Sequence, residues 1–178
     1  YGNVKIDPTR SFNYYLCVEG HAQLYKIFAW DEFQLCVMVI KIPPWHDEKK
    51  QGSFKVHPLG DNDIIHCDYF LQNIGLAGAV QSTRAAIYAA ARKNSIHPAR
   101  DYFNALKWDG NPRLDEWLIK YCFCTQDDPE YVRAVGRTWL IAAVKRVYEP
   151  GCKFDHMLIL EGDQSVGKST TLKVMASF

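Results

Sequence analysis

Residues Gly162 to Ser169 read GDQSVGKS, a complete G-x-x-x-x-G-K-[ST] octet. No other feature constrains the chain as much, because this spacing suits a turn in which successive backbone N–H groups converge on an anion. Gly162 permits a sharp turn and Gly167 a positive φ, and a following helix directs its N-terminal partial charge to the same place. The flanks agree. His156-Met157-Leu158-Ile159-Leu160-Glu161 is a short, mostly apolar run suited to a buried parallel strand, and Thr170, Thr171, Leu172, Val174 and Met175 suit a helix. In this reading Asp163, Gln164, Ser165, Val166 and Thr170 complete a nucleotide-binding loop. Lys168 reaches the β- and γ-phosphates and the Ser169 hydroxyl sits on Mg²⁺. ATP and Mg²⁺ are the expected ligands. The plainer alternative is a glycine-rich surface turn with an exposed lysine.

Ten residues follow Lys168. Hydrolysis at such a loop also takes a second acidic residue on Mg²⁺, a group that positions water and commonly an arginine finger. One strand and one helix also leave each other's apolar faces open. The expectation is therefore a truncated piece of a longer protein, beginning at Tyr1, with no catalytic residue of its own. The alternative is a naturally short chain that binds nucleotide poorly or not at all.

A length of 178 residues with 48% hydrophobic and 23% charged residues suits a soluble globular protein of one or two domains. No apolar run approaches the span of a bilayer, and Tyr1-Gly2-Asn3-Val4-Lys5 is no secretory leader, so a cytoplasmic address without membrane association is expected. Cys17-x3-His21 and Cys122-x-Cys124 are the closest cysteine groupings. Neither has the C-x2-C spacing that suits zinc, which points to reduced structural thiols. Residues 81–153 hold 12 Lys and Arg against 8 Asp and Glu. That bias is compatible with a phosphate-backbone surface and equally with solvated helix faces.

Organisation changes near residues 95–100. Residues 1–95 read as an α+β N-terminal module. Thr9 or Ser11 caps a helix carrying Phe12, Tyr15, Leu16 and Glu19, and Tyr25–Trp30 with Gln34–Ile42 form a hairpin around Asp31-Glu32. A polar loop follows from His46 to Ser53. Asp61 or Asn62 caps a helix with Ile64, Ile65, Tyr69, Phe70 and Leu71, and Ser82 caps another whose alanines pack closely. Two helices beside a hairpin suggest a winged-helix-like module in which Thr83, Arg84, Arg92 and Lys93 touch a nucleic-acid backbone; an ordinary packed helix pair is the alternative.

Residues 96–152 read as a helical segment. His97-Pro98 opens one helix and Pro112 begins the next, with Leu114, Trp117, Leu118 and Tyr121. Asp128-Pro129 opens a helix of about five turns whose apolar stripe is Val132, Val135, Trp139, Ala142 and Ala143, ended by Pro150-Gly151. Arg133 and Arg137 share its other face, where DNA, a neighbouring subunit's phosphates or solvent could meet them. Trp108, Trp117 and Trp139 have the helical spacing of core residues rather than of base-stacking platforms, while Tyr14, Tyr15, Tyr25 and Trp45 fit either role. Residues 153–178 read as the start of an α/β phosphate-loop NTPase domain.

HPARDYFNALKWDGNPRLDEWL and AVGRTWLIAAVKRVYEPGCKFDHMLILEGDQSVGKST, between His97 and Thr170, resemble the virulence-associated protein E family of phage and prophage phosphate-loop proteins. Phe28-Ala29-Trp30-Asp31-Glu32-Phe33 and Pro43-Pro44-Trp45 are similar to that family's aromatic-Asp-Glu-Phe and Pro-Trp elements. The resemblance implies an oligomeric, ATP-driven motor of the superfamily 3-like or primase-associated helicase kind, acting on single-stranded or origin DNA in replication. It carries over to Gly162, Gly167, Lys168 and Ser169. It also implies an acidic metal-binding strand and an arginine finger beyond Phe178. One departure is Ser165, where the family commonly has glycine. The loop accepts a serine if that residue avoids positive φ. Two other classes stay open: a phosphotransferase, with an acceptor pocket and lid, and a non-catalytic DNA-binding or regulatory module with a structural or vestigial nucleotide site.

Overall fold

Phe28-Ala29-Trp30 is apolar on both of its faces, the pattern of a strand covered on both sides. In the computed structural model, which describes residues 7–47, 49, 52–124 and 128–176, it opens β1 (Phe28–Asp31), at the centre of a mixed four-stranded sheet. The expectations for Tyr1–Lys5, and for Glu48, Lys50 and Gln51 of the polar loop, lie outside the described residues. Strand β2 (Cys36–Val39) pairs with β1 antiparallel, Phe28 opposite Val39 and Asp31 opposite Cys36. The short β3 (His57–Pro58) extends the sheet beyond β2, and β4 (Ser95–Ile96) lies parallel to β1 on its other side. The hairpin turn is built by Asp31. Its buried carboxylate accepts the N–H groups of Phe33 at 2.8 Å and Gln34 at 2.9 Å.

The chain divides into two units, Tyr1–His97 and Pro98–Phe178. In the first, α1 (Ser11–Gly20) and α2 (Asp61–Asn73) pack on α3 (Val80–Lys93), and α3 lies on β1. The core contains Tyr14, Val18, Leu24, Phe28, Val39, Leu71 and Ile87. The expected apolar set of α1 is displaced: Tyr14 and Val18 are buried, while Phe12 and Leu16 are exposed. Tyr14 decides this register. Its hydroxyl accepts the Gly78 N–H, and a Cβ at Gly78 would lie 2.7 Å from that oxygen. The expected caps shift for a related reason, because tertiary packing places the helix ends and the polar side chains find other partners. Arg10, Gly60 and Ala79 occupy the cap positions, the Thr9 hydroxyl donates to Asp7 at 2.6 Å, and Asp63 reaches back to the Gly60 N–H at 2.9 Å. Between α2 and α3 the buried Asp68 accepts from Thr83 Oγ1 and, at 2.7 Å, from Gln72, so its charge is satisfied.

The second unit comprises α4 (Pro98–Ala105), α5 (Trp117–Cys122), α6 (Pro129–Tyr148) and α7 (Lys168–Met175). Helix α5 starts at Trp117 rather than at Pro112. The reason is Asp109, which accepts the Asn111 N–H at 3.0 Å and a two-pronged Arg113 guanidinium at 2.9 and 2.7 Å, and so fixes residues 109–113 as a closed turn. Helix α6 starts as expected, with Asp128 accepting the N–H groups of Glu130 and Tyr131 at 3.1 and 3.2 Å. Its inner stripe runs through Val132, Val135, Gly136, Trp139 and Ala142, whereas Ala143 faces solvent. The core is Trp117, Leu118 and Val132, with Val135, Trp139, Leu158, Leu160 and Met175 packed around it. The expected strand at His156–Glu161 is not formed. Leu158 and Leu160 turn inward while Met157 and Ile159 are exposed, the alternation of a strand, but no described residue supplies the neighbouring ladder. Among the described residues, no helix is long and apolar enough to cross a membrane.

Gly136 is the most closely packed glycine of this unit. A Cβ there would sit 2.8 Å from Trp117 Nε1 and 3.0 Å from Leu118 Cδ1. Gly136→Ala gains up to about 1 kcal/mol of helix propensity, against an overpacking cost of about 1–3 kcal/mol. A net loss of about 1 kcal/mol in urea unfolding is expected. Gly20→Ala, with nothing within 4 Å of the added methyl, is expected to be neutral or stabilising. In α2 the buried Cys67 thiol is pushed up to about 12 by burial and by the nearby Asp68 and Asp63 carboxylates. Because the folded value is raised, its stabilising effect is complete below the unfolded thiol value of about 8.5 and is lost as pH rises towards about 12. Urea unfolding at rising alkaline pH should therefore fall more steeply for the native chain than for Cys67→Ala.

Candidate functional site

The octet Gly162–Ser169 forms a turn that runs directly into α7, with Gly167 at its N-cap. Three of its residues have positive φ: Gly162 at 149°, Ser165 at 68° and Gly167 at 90°. Gly162 and Gly167 hold these angles without a Cβ clash. Ser165 does not meet the condition read from the sequence, since it lies in the left-handed region, which costs an ordinary residue about 1–2 kcal/mol. The first turn of α7 is closed by Thr171, whose N–H and hydroxyl reach the Gly167 carbonyl at 2.9 and 3.2 Å. Leu158 and Leu160 on the entry side and Met175 on the exit side pack on the Trp117 core, so both ends of the turn are anchored.

Lys168 folds back across the turn, and its ammonium donates to the carbonyls of Gly162 and Asp163, each at 2.7 Å. The charge is held across the turn by those two carbonyls. Asp163, Gln164, Ser165, Val166, Ser169 and Thr170 are exposed, and Gly167 and Lys168 are half-buried. An ammonium, a left-handed glycine and a helix N-terminus in one place favour an anion. Among the described residues, no group of three or more His, Cys, Asp or Glu is arranged to hold a metal ion. A divalent ion here would thus take one ligand from the exposed Ser169 hydroxyl and the others from a bound anion and water, as suits Mg²⁺.

The other basic residues singled out in the sequence each meet a partner within their own unit. In the first unit Arg84 pairs with Asp61 at 2.9 Å, and the Arg92 guanidinium lies 3.5 Å from the Trp30 ring centroid. Lys93 forms an ion pair with Glu19. That pair and the Tyr15 hydroxyl hold the Glu19 carboxyl below its ordinary range, and Glu19 raises Lys93 in return. In the second unit Arg137 grips Asp115 with two bonds of 2.7 and 2.8 Å, and Arg133 bonds Glu116 and Glu130, each at 2.8 Å. These carboxylates raise both guanidinium groups. Arg133 and Arg137 do share one face of α6, as their spacing indicates, and there they tie the helix to the turn before α5. Asp115 and Glu116 precede that helix, so no helical spacing marks them as partners.

Residues 103–178 match a family model described as the Virulence-associated protein E-like domain. The match takes in α5, α6, α7 and the whole octet. Comparison with curated proteins gives no match.

The strained position yields a direct test. Ser165→Gly relieves the left-handed serine, whereas Ser165→Val puts a β-branched side chain where it is least tolerated. Amide hydrogen exchange over residues 163–167 should slow in the glycine variant and quicken in the valine variant. Equal exchange in both would show that the loop does not hold this backbone shape.

Proposed function

We propose that this chain, whose residues 103–178 match the Virulence-associated protein E-like domain, is the nucleotide-binding part of an ATP-dependent protein of the phage-type replicative helicase and ATPase kind. The observation that carries the reading is the ammonium of Lys168, held across the mouth of the Gly162–Ser169 turn at the start of α7. In this reading the phosphates of ATP replace the Gly162 and Asp163 carbonyls as its acceptors. The exchange sets the ammonium against full negative charge in place of carbonyl dipoles, a stronger electrostatic pairing. Gly167, with no Cβ, lets the phosphate approach the backbone, and the α7 N-terminus faces the added charge.

Ser169 supplies its hydroxyl to Mg²⁺, which when bound neutralises phosphate charge. Turnover needs an acidic metal ligand and an arginine finger, which belong in this reading to the oligomer of the whole protein. The first unit, with its α2–α3 helix pair and hairpin, serves as a winged-helix-like module that meets DNA, with Arg84, Arg92 and Lys93 at its surface. One observation favours a second reading. The two carbonyl bonds already satisfy Lys168, as they would in a structural lysine within a vestigial site.

Lys168→Ala separates the two. Calorimetric titration with Mg·ATP should show binding by the native chain and a loss of about 100-fold or more in the variant, the equivalent of about 3 kcal/mol for a charged contact. The circular dichroism spectrum should be unchanged. Equal ATP affinity in the two chains would refute the nucleotide reading. A variant that melts earlier, in a chain that never bound ATP, would establish the structural lysine.

A further inference from the structure

In the first unit a cleft of about 320 Å³ opens beside α1, α3 and the start of β1. Its buried lining is Val18, Leu24 and Phe28, and its exposed rim carries Tyr25, Lys26 and Lys93. The volume is at the lower end of small-ligand sites, which run from about 300 to 1,000 Å³, enough for one planar ring system with its sugar and too small for a helix. The backbone bond from Ile40 N–H to the Ile27 carbonyl, 2.8 Å, continues the β1–β2 hairpin and sets Lys41 beside Lys26. Both ammonium groups then gather on Tyr25, at 5.4 Å and 5.7 Å from its ring centroid. Lys41 also donates to the Tyr25 carbonyl at 3.4 Å. Lys26 is held at φ 57°, an uncommon conformation for a side chain of its length.

Charge decides what such a cleft suits. Arg84, Lys93, Arg113, Arg133 and Arg137 each have a carboxylate partner. Among the described residues, Lys26 and Lys41 form no ion pair, and Glu19, the acidic residue lining the cleft, is taken up by Lys93 and Tyr15. The result is a half-exposed aromatic ring at the mouth of the cleft and two cations free of carboxylates. We propose that the mouth of this cleft binds one nucleotide unit, its base against Tyr25 and its phosphate on Lys26, which lines the cleft, and on Lys41, which meets the same ring from outside the lining. The unit is either a residue of a single strand or a free nucleotide, since both present the same ring and phosphate. An acidic peptide would match the cations but leave the ring uncovered. The proposal is independent of the phosphate loop and concerns a different unit of the chain.

The test uses the full chain carrying Lys168→Ala, so that the loop contributes nothing. A short fluorescein-labelled oligothymidylate is titrated by fluorescence anisotropy over a range of salt concentrations, and thymidine monophosphate is used as competitor. Binding is expected, weakened about tenfold or more by Tyr25→Ala and retained by Tyr25→Phe. Lys26→Gln and Lys41→Gln combined should lower the salt slope by about 0.7, the contribution of the one single-strand phosphate they share. Displacement by the monophosphate at equal nucleotide concentration identifies a free-nucleotide pocket, and resistance to it identifies a single-strand site; either result supports the proposal. The proposal is overturned if neither probe binds, if Tyr25→Ala in a chain of unchanged circular dichroism binds as well as the parent, or if polyglutamate of matched charge displaces the oligonucleotide.

Discussion

Trp117 in the second unit lies against the backbone of α6 at Gly136, and the placement of the candidate site follows from that contact. The indole sits where any larger residue would put a carbon 2.8 Å from its nitrogen. Among the described residues that nitrogen is the buried side-chain polar atom left without a hydrogen bond, a sign that close packing prevails over polar pairing here. Leu158, Leu160 and Met175, the residues that bracket the phosphate-type turn, rest on the cluster this indole organises. Tyr14 and Gly78 repeat the arrangement in the first unit, with the difference that the phenol hydroxyl is satisfied by the glycine N–H. In each unit a ring lies on bare backbone, and changes of a single methyl are therefore felt.

Electrostatics divides the basic residues into two groups. Arg133 and Arg137 fasten one helix to the turn before another, and Arg113 closes a turn on Asp109. Each exposed pair of this kind contributes about 0–1 kcal/mol. Their effect is to fix local geometry. Lys26, Lys41 and Lys168 behave differently. Their ammonium groups lie against a ring or against carbonyl oxygens, acceptors that an incoming anion can outcompete.

Several elements were legible from local chemistry. Asp128-Pro129 marked the start of α6, Pro150-Gly151 its end, and the apolar runs around Asp31-Glu32 the hairpin, because in each the deciding partner lies within a few residues in sequence. The turn into α7 was legible for the same reason. What the sequence did not reveal depended on distant partners. Tyr14 and Val18 rather than Phe12 and Leu16 face inward on α1 because of Gly78, more than sixty residues away. The start of α5 moved because Asp109 captures Arg113. The segment at Leu158–Leu160 has strand-like alternation but no ladder, since pairing takes a second strand that alternation alone does not provide. Asp115 and Glu116, which occupy Arg137 and Arg133, carried no sequence signal of that role.

Gly162, Ser165 and Gly167 place three left-handed residues within six positions. A bend written this densely into backbone torsions is set during folding and needs no guest to shape it. Whatever enters it therefore meets a backbone mould already cast, and the rearrangement left to the receptor is the release of the Lys168 ammonium from two carbonyls.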